Sequence, residues 1–441
     1  MDPLDPLKLD RDIARAARAE RAWRRAVRSD AGRAGDAWYE PVRDVTTRTA
    51  FATVSELSSD DPLREPFRRW IHRLAVSRIA ARPLGDAVRA RQLASIRLDK
   101  PDLGTFAPRE LVARAIADRE PARAALWLEG IGEGSDSVLA AERRAREAVR
   151  EISLRLGVTD PASLVPWDAA ALGAEAERFL ARTSDLASSL FGRYEDVARL
   201  LDPLVARDVP GVWPRSPDAR WLFDLFRATP LVAGLTLDLG PTPRPLGAAS
   251  FGRGLARFGA AYARAATSSG RIFVQSSDPS DAHPLRRGAL FRSLVADPLF
   301  LRKQMDFSRD AAEKTMRRVA LALLADARLA AARTLVDFAA ASPSDVEEAS
   351  SETLKVRVSE RLAGVLPRPD PRAPARFVAA LLATRDRASM RDGFDEDWFA
   401  SPHALSFLRE EDAVPLALAL PKDALAGTAD ELARSFEAIA G

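Results

Sequence analysis

Histidine stands at only three positions of this 441-residue chain, His72, His283 and His403, and cysteine at none. Thiolate nucleophiles, Cys-ligated zinc or iron–sulfur sites and disulfides are therefore excluded. The three histidines lie far apart and share no spacing typical of a metal site; His283 and His403 together would supply two ligands, too few for structural zinc. No metal or other cofactor is assigned. Carboxylates occur in two runs, Asp395-Glu396-Asp397 and Glu410-Glu411-Asp412. The first reads as a solvated helix start favoured by the helix dipole, the second as an exposed run before a loop. Gly130-Ile131-Gly132-Glu133-Gly134-Ser135 is glycine-rich, but it follows a helix-like segment and has no Lys-Ser/Thr after it. It reads as a flexible interhelical linker rather than a phosphate cradle. Neither a Gly-x-Ser-x-Gly elbow nor a P-loop occurs.

The elements that would position any site are helices. Residues 10–33 place Arg15, Arg18, Arg21, Arg25 and Arg28 at helical spacing, with Ile13 and Trp23 as anchors on the other side. Residues 67–81 and 137–156 have amphipathic spacing, the second stopped by Gly157. Residues 255–262 and 289–300 have the apolar spacing of buried helices, the latter ending at the Asp297-Pro298 step. Residues 308–341 form the longest helical run, with Ser308 as N-cap and Met316, Val319, Leu323 and Leu324 on its inner face. Thr428-Ala429-Asp430-Glu431 has the pattern of a capping box before the last helix. Residues 235–239 are the one stretch that reads as a strand remnant. The expected fold class is all-α, with an N-terminal helical portion over 1–130 and a second helical portion over 131–441, or one continuous body.

Composition bounds the partners. Hydrophobic residues make up 47% and charged ones 29%, a globular balance. Of 66 basic residues only six are lysines, yet 63 acids leave a formal charge of +3. That balance disfavours nucleic acid as a partner and treats the basic N-terminal helix as a solvated face. No basic n-region with an apolar h-region opens the chain, and no run of about 18 uncharged apolar residues follows. Cytoplasmic location without a membrane partner is the expectation.

The ordered series of segments resembles the M3-like helical zinc metallopeptidases, the thimet-oligopeptidase and oligoendopeptidase type. Leu255, Gly259, Ala261 and Thr267 carry the match on one helix. Phe394-Asp395-Glu396-Asp397-Trp398-Phe399-Ala400-Ser401-Pro402 carries it near the end, resembling the family's FGxDWFxSP segment. The resemblance is good from about residue 142 onward and faint before it. It implies an elongated multi-helix architecture with a central cleft and a zinc site built from His-Glu-x-Gly-His plus a later Glu. Here the two histidine positions fall on Ala256 and Ala260, the catalytic Glu on Arg257 and the third ligand near Leu285. It also implies that most of a small substrate-binding β-sheet is deleted and that tyrosines expected near residues 367–374 are missing.

Methyl groups at i and i+4 bind no zinc, and a guanidinium is neither a general base nor a neighbour a divalent cation tolerates. The expectation is a catalytically inactive peptidase homologue that binds a peptide or protein as scaffold, regulator or partner subunit, an active homologous subunit being one such partner. Arg257, Phe258, Tyr262 and Arg292 are the candidate cleft residues, and the two arginines suit a carboxylate or phosphate. Two alternatives remain open: a structural module with a collapsed cleft, and a hydrolase using other residues.

Overall fold

The computed structural model describes residues 5–29, 37–93, 96–97, 104–107, 110–111, 114–115, 118, 120–133, 136–160, 164–194, 221, 224–226, 229–239, 248–267, 272–336, 343–358, 372–413, 420 and 423–440. Helices dominate these residues, and their strands form a single antiparallel pair, β1 (Ile96–Arg97) and β2 (Thr105–Phe106), with Ile96 opposite Phe106. The expected all-α class is what the chain adopts. Residues 235–239 are irregular rather than a strand. With β-partners absent among the described residues, their leucines pack singly against the aromatic core instead.

The N-terminal helices α1 (Pro6–Ser29), α2 (Arg48–Ser55) and α3 (Arg64–Ile79) close around Ile13, Phe51, Phe67, Ile71 and Leu74, all at most 5% exposed. Asp5 opens α1 by accepting from the Leu7 and Lys8 amides at 3.0 and 3.2 Å. Ile13, Ala16, Ala17, Trp23 and Val27 recur at helical spacing and are buried, so the sparse apolar stripe of α1 suffices to dock it. After α4 (Ala81–Leu93) comes α5 (Pro121–Glu133), which runs straight through Gly130, Ile131 and Gly132. The linker expected there is helix as far as Glu133. Trp127, Leu128 and Ile131 bury at most 5% exposed on its inner face, and that burial outweighs about 1 kcal/mol per glycine.

Helix α6 (Asp136–Arg155) sends Ile152 and Leu156 into the N-terminal core and ends on Gly157 at φ +82°, a conformation that favours glycine. Next come α7 (Ala169–Arg182), α8 (Ser184–Phe191), α9 (Ala248–Thr267) and the short α10 (Phe273–Ser276). Asp10 of α1 caps α10, accepting from the Phe273 and Val274 amides at 2.9 Å each. Trp70 donates to Ser277 O at 2.8 Å, and Arg69 pairs with Asp278 at 3.3 Å. Residues 272–278 are thereby clamped onto the N-terminal helices.

Helix α11 (Ala282–Ser293) passes through a 3-10 turn (Leu294–Ala296) to Asp297, whose carboxylate caps α12 (Pro298–Met305) at the Leu299 and Phe300 amides. The Asp-Pro step therefore ends one helix and starts the next. Ser308 caps α13 (Arg309–Leu335), accepting from Ala311 N at 3.2 Å. Its first turns reach the core around α9 and α11 with Ala312 and Val319; Leu324, Ala331 and neighbours reach a second core shared with α7, α14 (Pro343–Leu354) and α15 (Ala373–Phe394). A 3-10 turn (Trp398–Ala400), α16 (Pro402–Asp412) and α17 (Thr428–Ala440) complete the described chain. Trp398 and Phe399 are buried, whereas Phe407 is 46% exposed and packs against Phe394.

The capping box expected at Thr428 does not form. Glu431 turns outward to Arg385, and Glu175 of α7 accepts from the Gly427 and Ala429 amides at 3.3 and 2.8 Å. A distant carboxylate thus caps α17, and residues 359–371, with most of the expected proline-rich turn, lie outside the described residues.

Acid should weaken the N-terminal core. Burial alone would raise the Glu20 carboxyl, but Arg73, Arg24 and Ser77 converge on it and bring it down from 4.5 to about 2. Burial, then the Arg68 charge, lowers His72 from 6.5 to about 4; its Nε2 lies 3.1 Å from Ser153 Oγ. Both folded values lie below the unfolded ones, so the unfolded chain takes up protons first as pH falls. Stability should drop by up to about 3 kcal/mol from His72 between pH 6.5 and 4, and by a similar amount from Glu20 between pH 4.5 and 2. Urea midpoints of the wild type and of Glu20→Gln and His72→Phe measure this; a wild-type midpoint that is flat from pH 7 to 4 contradicts it.

Candidate functional site

Helix α9 divides its sides by spacing. Leu255, Phe258, Tyr262 and Ala266 recur three and four residues apart and are at most 1% exposed. Phe258 stacks on Phe226 at 4.9 Å between ring centroids and meets Phe291 edge-on at 5.3 Å. Tyr262 donates its hydroxyl to Leu408 O at 3.2 Å. Roughly opposite, Arg253, Arg257 and Arg264 are exposed and Ala256 and Ala260 partly so. Phe258 and Tyr262 were expected to line a cleft with Arg257; they sit on the core side of the helix, turned away from it.

A third side of α9 meets α11 backbone to backbone. A Cβ on Gly259 would lie 2.5 Å from Arg287 O, and one on Gly288 would lie 2.7 Å from Ala256 O. Only glycine lets two helices approach this closely. Leu285, on the same helix, is partly buried and packs against the α13 core. Ala256, Ala260 and Leu285 thus offer methyl and methylene groups at the helix pair, with no donor for a metal. Among the described residues no cluster of three or more His, Cys, Asp or Glu has a metal-binding arrangement.

At the N-terminal half of α9 Arg253 and Arg257 stand one turn apart on the exposed side, and Arg292 reaches the same helix, its Cγ 3.5 Å from where a Cβ on Gly252 would lie. Arg292 of α11 pairs with Asp326 of α13 at 2.5 Å. Desolvation and then the charge of Arg292 lower the Arg253 pKa, with Arg257 adding to the effect and Asp326 opposing it. Arg257 and Arg292 are therefore brought into one region, joined by Arg253, which sequence reading passed over although it lies one turn before Arg257.

Beneath α11 lies a buried ionic network. Arg287, 1% exposed, donates to Asp412 Oδ1 at 2.7 Å, Asp386 Oδ2 at 2.8 Å and Glu411 Oε2 at 2.7 Å. Arg286 also holds Asp386, its Nε 2.8 Å from Oδ2. His283 Nε2 is 3.3 Å from Asp412 Oδ1. Burial would raise Asp412, but His283 and Arg287 hold it below the usual carboxylate range. Burial, and then the Asp412 charge, push the Tyr262 phenol up. The residue types suit acid–base chemistry; the carboxylates serve guanidiniums and the phenol serves a carbonyl, while the buried His283 Nε2 and Asp412 Oδ2 make no hydrogen bond among the described residues. Asp412 had been expected on an exposed run. Its spacing from Leu405 and Leu408, both fully buried, was the available signal that it faces inward. His403, by contrast, is exposed and remote in role from this network.

No family model matches the chain, and no curated protein matches it in sequence. In three dimensions it is similar to the crystal structure of a provisionally assigned oligoendopeptidase F from Bacillus anthracis, at a TM-score of 0.50 and 12% identity, over 97% of this chain and 83% of that one. At that identity the likeness is one of fold. The chain shares the helical architecture of an oligoendopeptidase-like protein.

Proposed function

We propose that the protein is a non-catalytic, peptidase-fold scaffold that binds a peptide or protein along the solvent-facing side of α9. One observation carries this reading: Ala256, Arg257 and Ala260 present two methyl groups and a guanidinium where the resemblance calls for zinc ligands and a general base, and Arg253 and Arg264 extend that exposed basic stripe along the helix. Guanidiniums bind carboxylates bidentately and catalyse no hydrolysis by themselves. The partner is a peptide segment or a protein, an active homologous subunit among the candidates, and neither nucleic acid nor membrane is invoked. Among the described residues no helix is long and apolar enough to cross a membrane.

Metal content and cleavage of a quenched-fluorescent peptide library, measured on one purified sample, test the non-catalytic part. No zinc and no cleavage is the expected result; stoichiometric zinc with chelator-sensitive cleavage overturns it. The triple change Ala256→His, Arg257→Glu, Ala260→His should also remain inactive, because Leu285 supplies no third ligand. Zinc-dependent hydrolysis by that variant contradicts the reading.

A second reading, a structural module whose partner binds elsewhere, draws support from the backbone contact at Gly259 and Gly288, which leaves no space between α9 and α11 at that level. Partner capture unaffected by Arg257→Glu would favour it.

A further inference from the structure

The arginines of α9 are not confined to one cluster. At the far end of the same stripe Arg264 lies 3.5 Å from Asp281, and Arg372, from the start of α15, approaches that acid from another direction at 3.5 Å. Arg21 of α1 joins them: desolvation lowers its pKa, Asp281 raises it, and Arg264 and Arg73 lower it again. Each end of the stripe therefore holds arginine against a carboxylate, Arg292 with Asp326 at one end and Arg264 and Arg372 with Asp281 at the other. Ala260 lies between them, small and partly exposed. Like charges held this close repel, and an added anion relieves the repulsion at each end.

The spacing of the two ends is set by the helix. Seven residues separate Arg257 from Arg264, about 10 Å along the axis at about 1.5 Å per residue. A chain extended in the polyproline II conformation covers that distance in about three residues at about 3.1 Å each, and its three residues per turn keep positions i and i+3 on one side. A peptide with carboxylates three positions apart can therefore engage both ends at once while its intervening side chains pass over Ala260. Two sites engaged by one chain also gain through effective concentration.

Resting on the peptide-binding reading above, we propose that the ligand of this face is an acidic, extended peptide segment whose Asp or Glu side chains recur at i and i+3, one at the Arg253–Arg257–Arg292 end and one at the Arg264–Arg372 end. Such a spacing rule distinguishes this surface from a general polyanion site, which would accept any dense negative charge.

Fluorescence polarisation with labelled decapeptides of Ser, Gly and Ala, carrying two Glu residues at i,i+3, i,i+1 or none, tests the proposal on the full-length protein. Binding of the i,i+3 peptide at least tenfold tighter than either control is expected. Arg257→Glu should cost about tenfold or more with that peptide, and replacing the facing Glu of the peptide with Lys should restore binding to this variant. Circular dichroism of Arg257→Glu, an exposed position, checks that the fold is intact. Equal binding of the i,i+1 and i,i+3 peptides overturns the spacing rule. Tighter binding of a mixed-sequence RNA oligonucleotide than of the peptide overturns the assignment of ligand class. Mass spectrometry of the recovered peptides separates the two levels of inference. Cleaved peptide defeats the non-catalytic reading itself, whereas intact neutral peptides that bind as well as acidic ones defeat only the acidic-ligand proposal.

Discussion

Replacing Arg287 with methionine is expected to destabilise the protein by about 3–5 kcal/mol, although methionine fills much of the same volume. The guanidinium is 1% exposed and stands among Asp386, Glu411 and Asp412, two of which are themselves at most 7% exposed. Removing it strands Asp412 in the interior without its guanidinium, and the desolvation cost of a buried carboxylate is no longer offset. The sign of the pH response should differ from that of the wild type. In the variant, burial raises the carboxyl pKa values above their unfolded values, so lowering the pH relieves the penalty and narrows the gap to wild type. Urea unfolding at pH 7.5 and pH 5 measures both effects. A loss below about 1 kcal/mol, or a gap that does not narrow in acid, is incompatible with a network held by this residue. Adding Asp386→Asn and Asp412→Asn to the variant should recover part of the loss, because neutral amides cost less to bury than unpaired carboxylates.

Arg328→Met should be nearly as damaging, at about 2–4 kcal/mol, for a different reason. This arginine, 1% exposed on α13, is bonded mainly to backbone rather than to acids. It donates to Leu180 O at 2.9 Å and Thr183 Oγ1 at 2.6 Å where α7 ends, and to Thr353 O at 2.7 Å where α14 ends. The last carbonyls of a helix have no partner within it, and the negative end of the helix dipole favours a cation. One guanidinium thus closes two helices at once. Burial nevertheless lowers its pKa from 12.5 to about 10, with Glu352 opposing, so it stays charged at neutral pH. Arg328→Lys should rescue little, since an ammonium lacks the planar fork that reaches two helix ends. Thermal and urea unfolding of both variants are the measurements; a lysine variant as stable as wild type would show that charge alone suffices.

Both predictions rest on arginines, the residue type that dominates the basic residues of the chain. Several of these side chains are structural ties instead: Arg73 and Arg24 hold Glu20, Arg385 holds Glu431 and two carbonyls, and Arg286 and Arg287 share Asp386. Exposed arginines recur along the outer side of α9, and Arg264 and Arg372 meet at Asp281, which is why the proposed ligand is acidic.

Local patterns were enough to define the helices and their inner faces. Ile13 to Val27 and Leu255 to Ala266 bury the stripes that their spacing predicts, as do Val319 and Leu324, with Met316 and Leu323 partly buried beside them; Ser308, Gly157 and Asp297 end or start helices as their chemistry requires. Such features depend on residues three or four apart, so they are written within one turn of chain. The residue types at Ala256, Arg257 and Ala260, two methyls and a guanidinium on one stretch of helix, are equally local. What the tertiary structure alone decided depends on partners far away in sequence. Arg287 and Asp412 are 125 positions apart, Glu175 and Ala429 are 254 apart, and Asp10 and Val274 are 264 apart. No periodicity records which guanidinium meets Asp412, that α17 is capped by Glu175 rather than by its own Glu431, or that the two glycines carry α5 onward as helix. A charge is neutralised, and a backbone amide capped, by whichever group the packed core delivers, and that delivery exists only once the helices have docked.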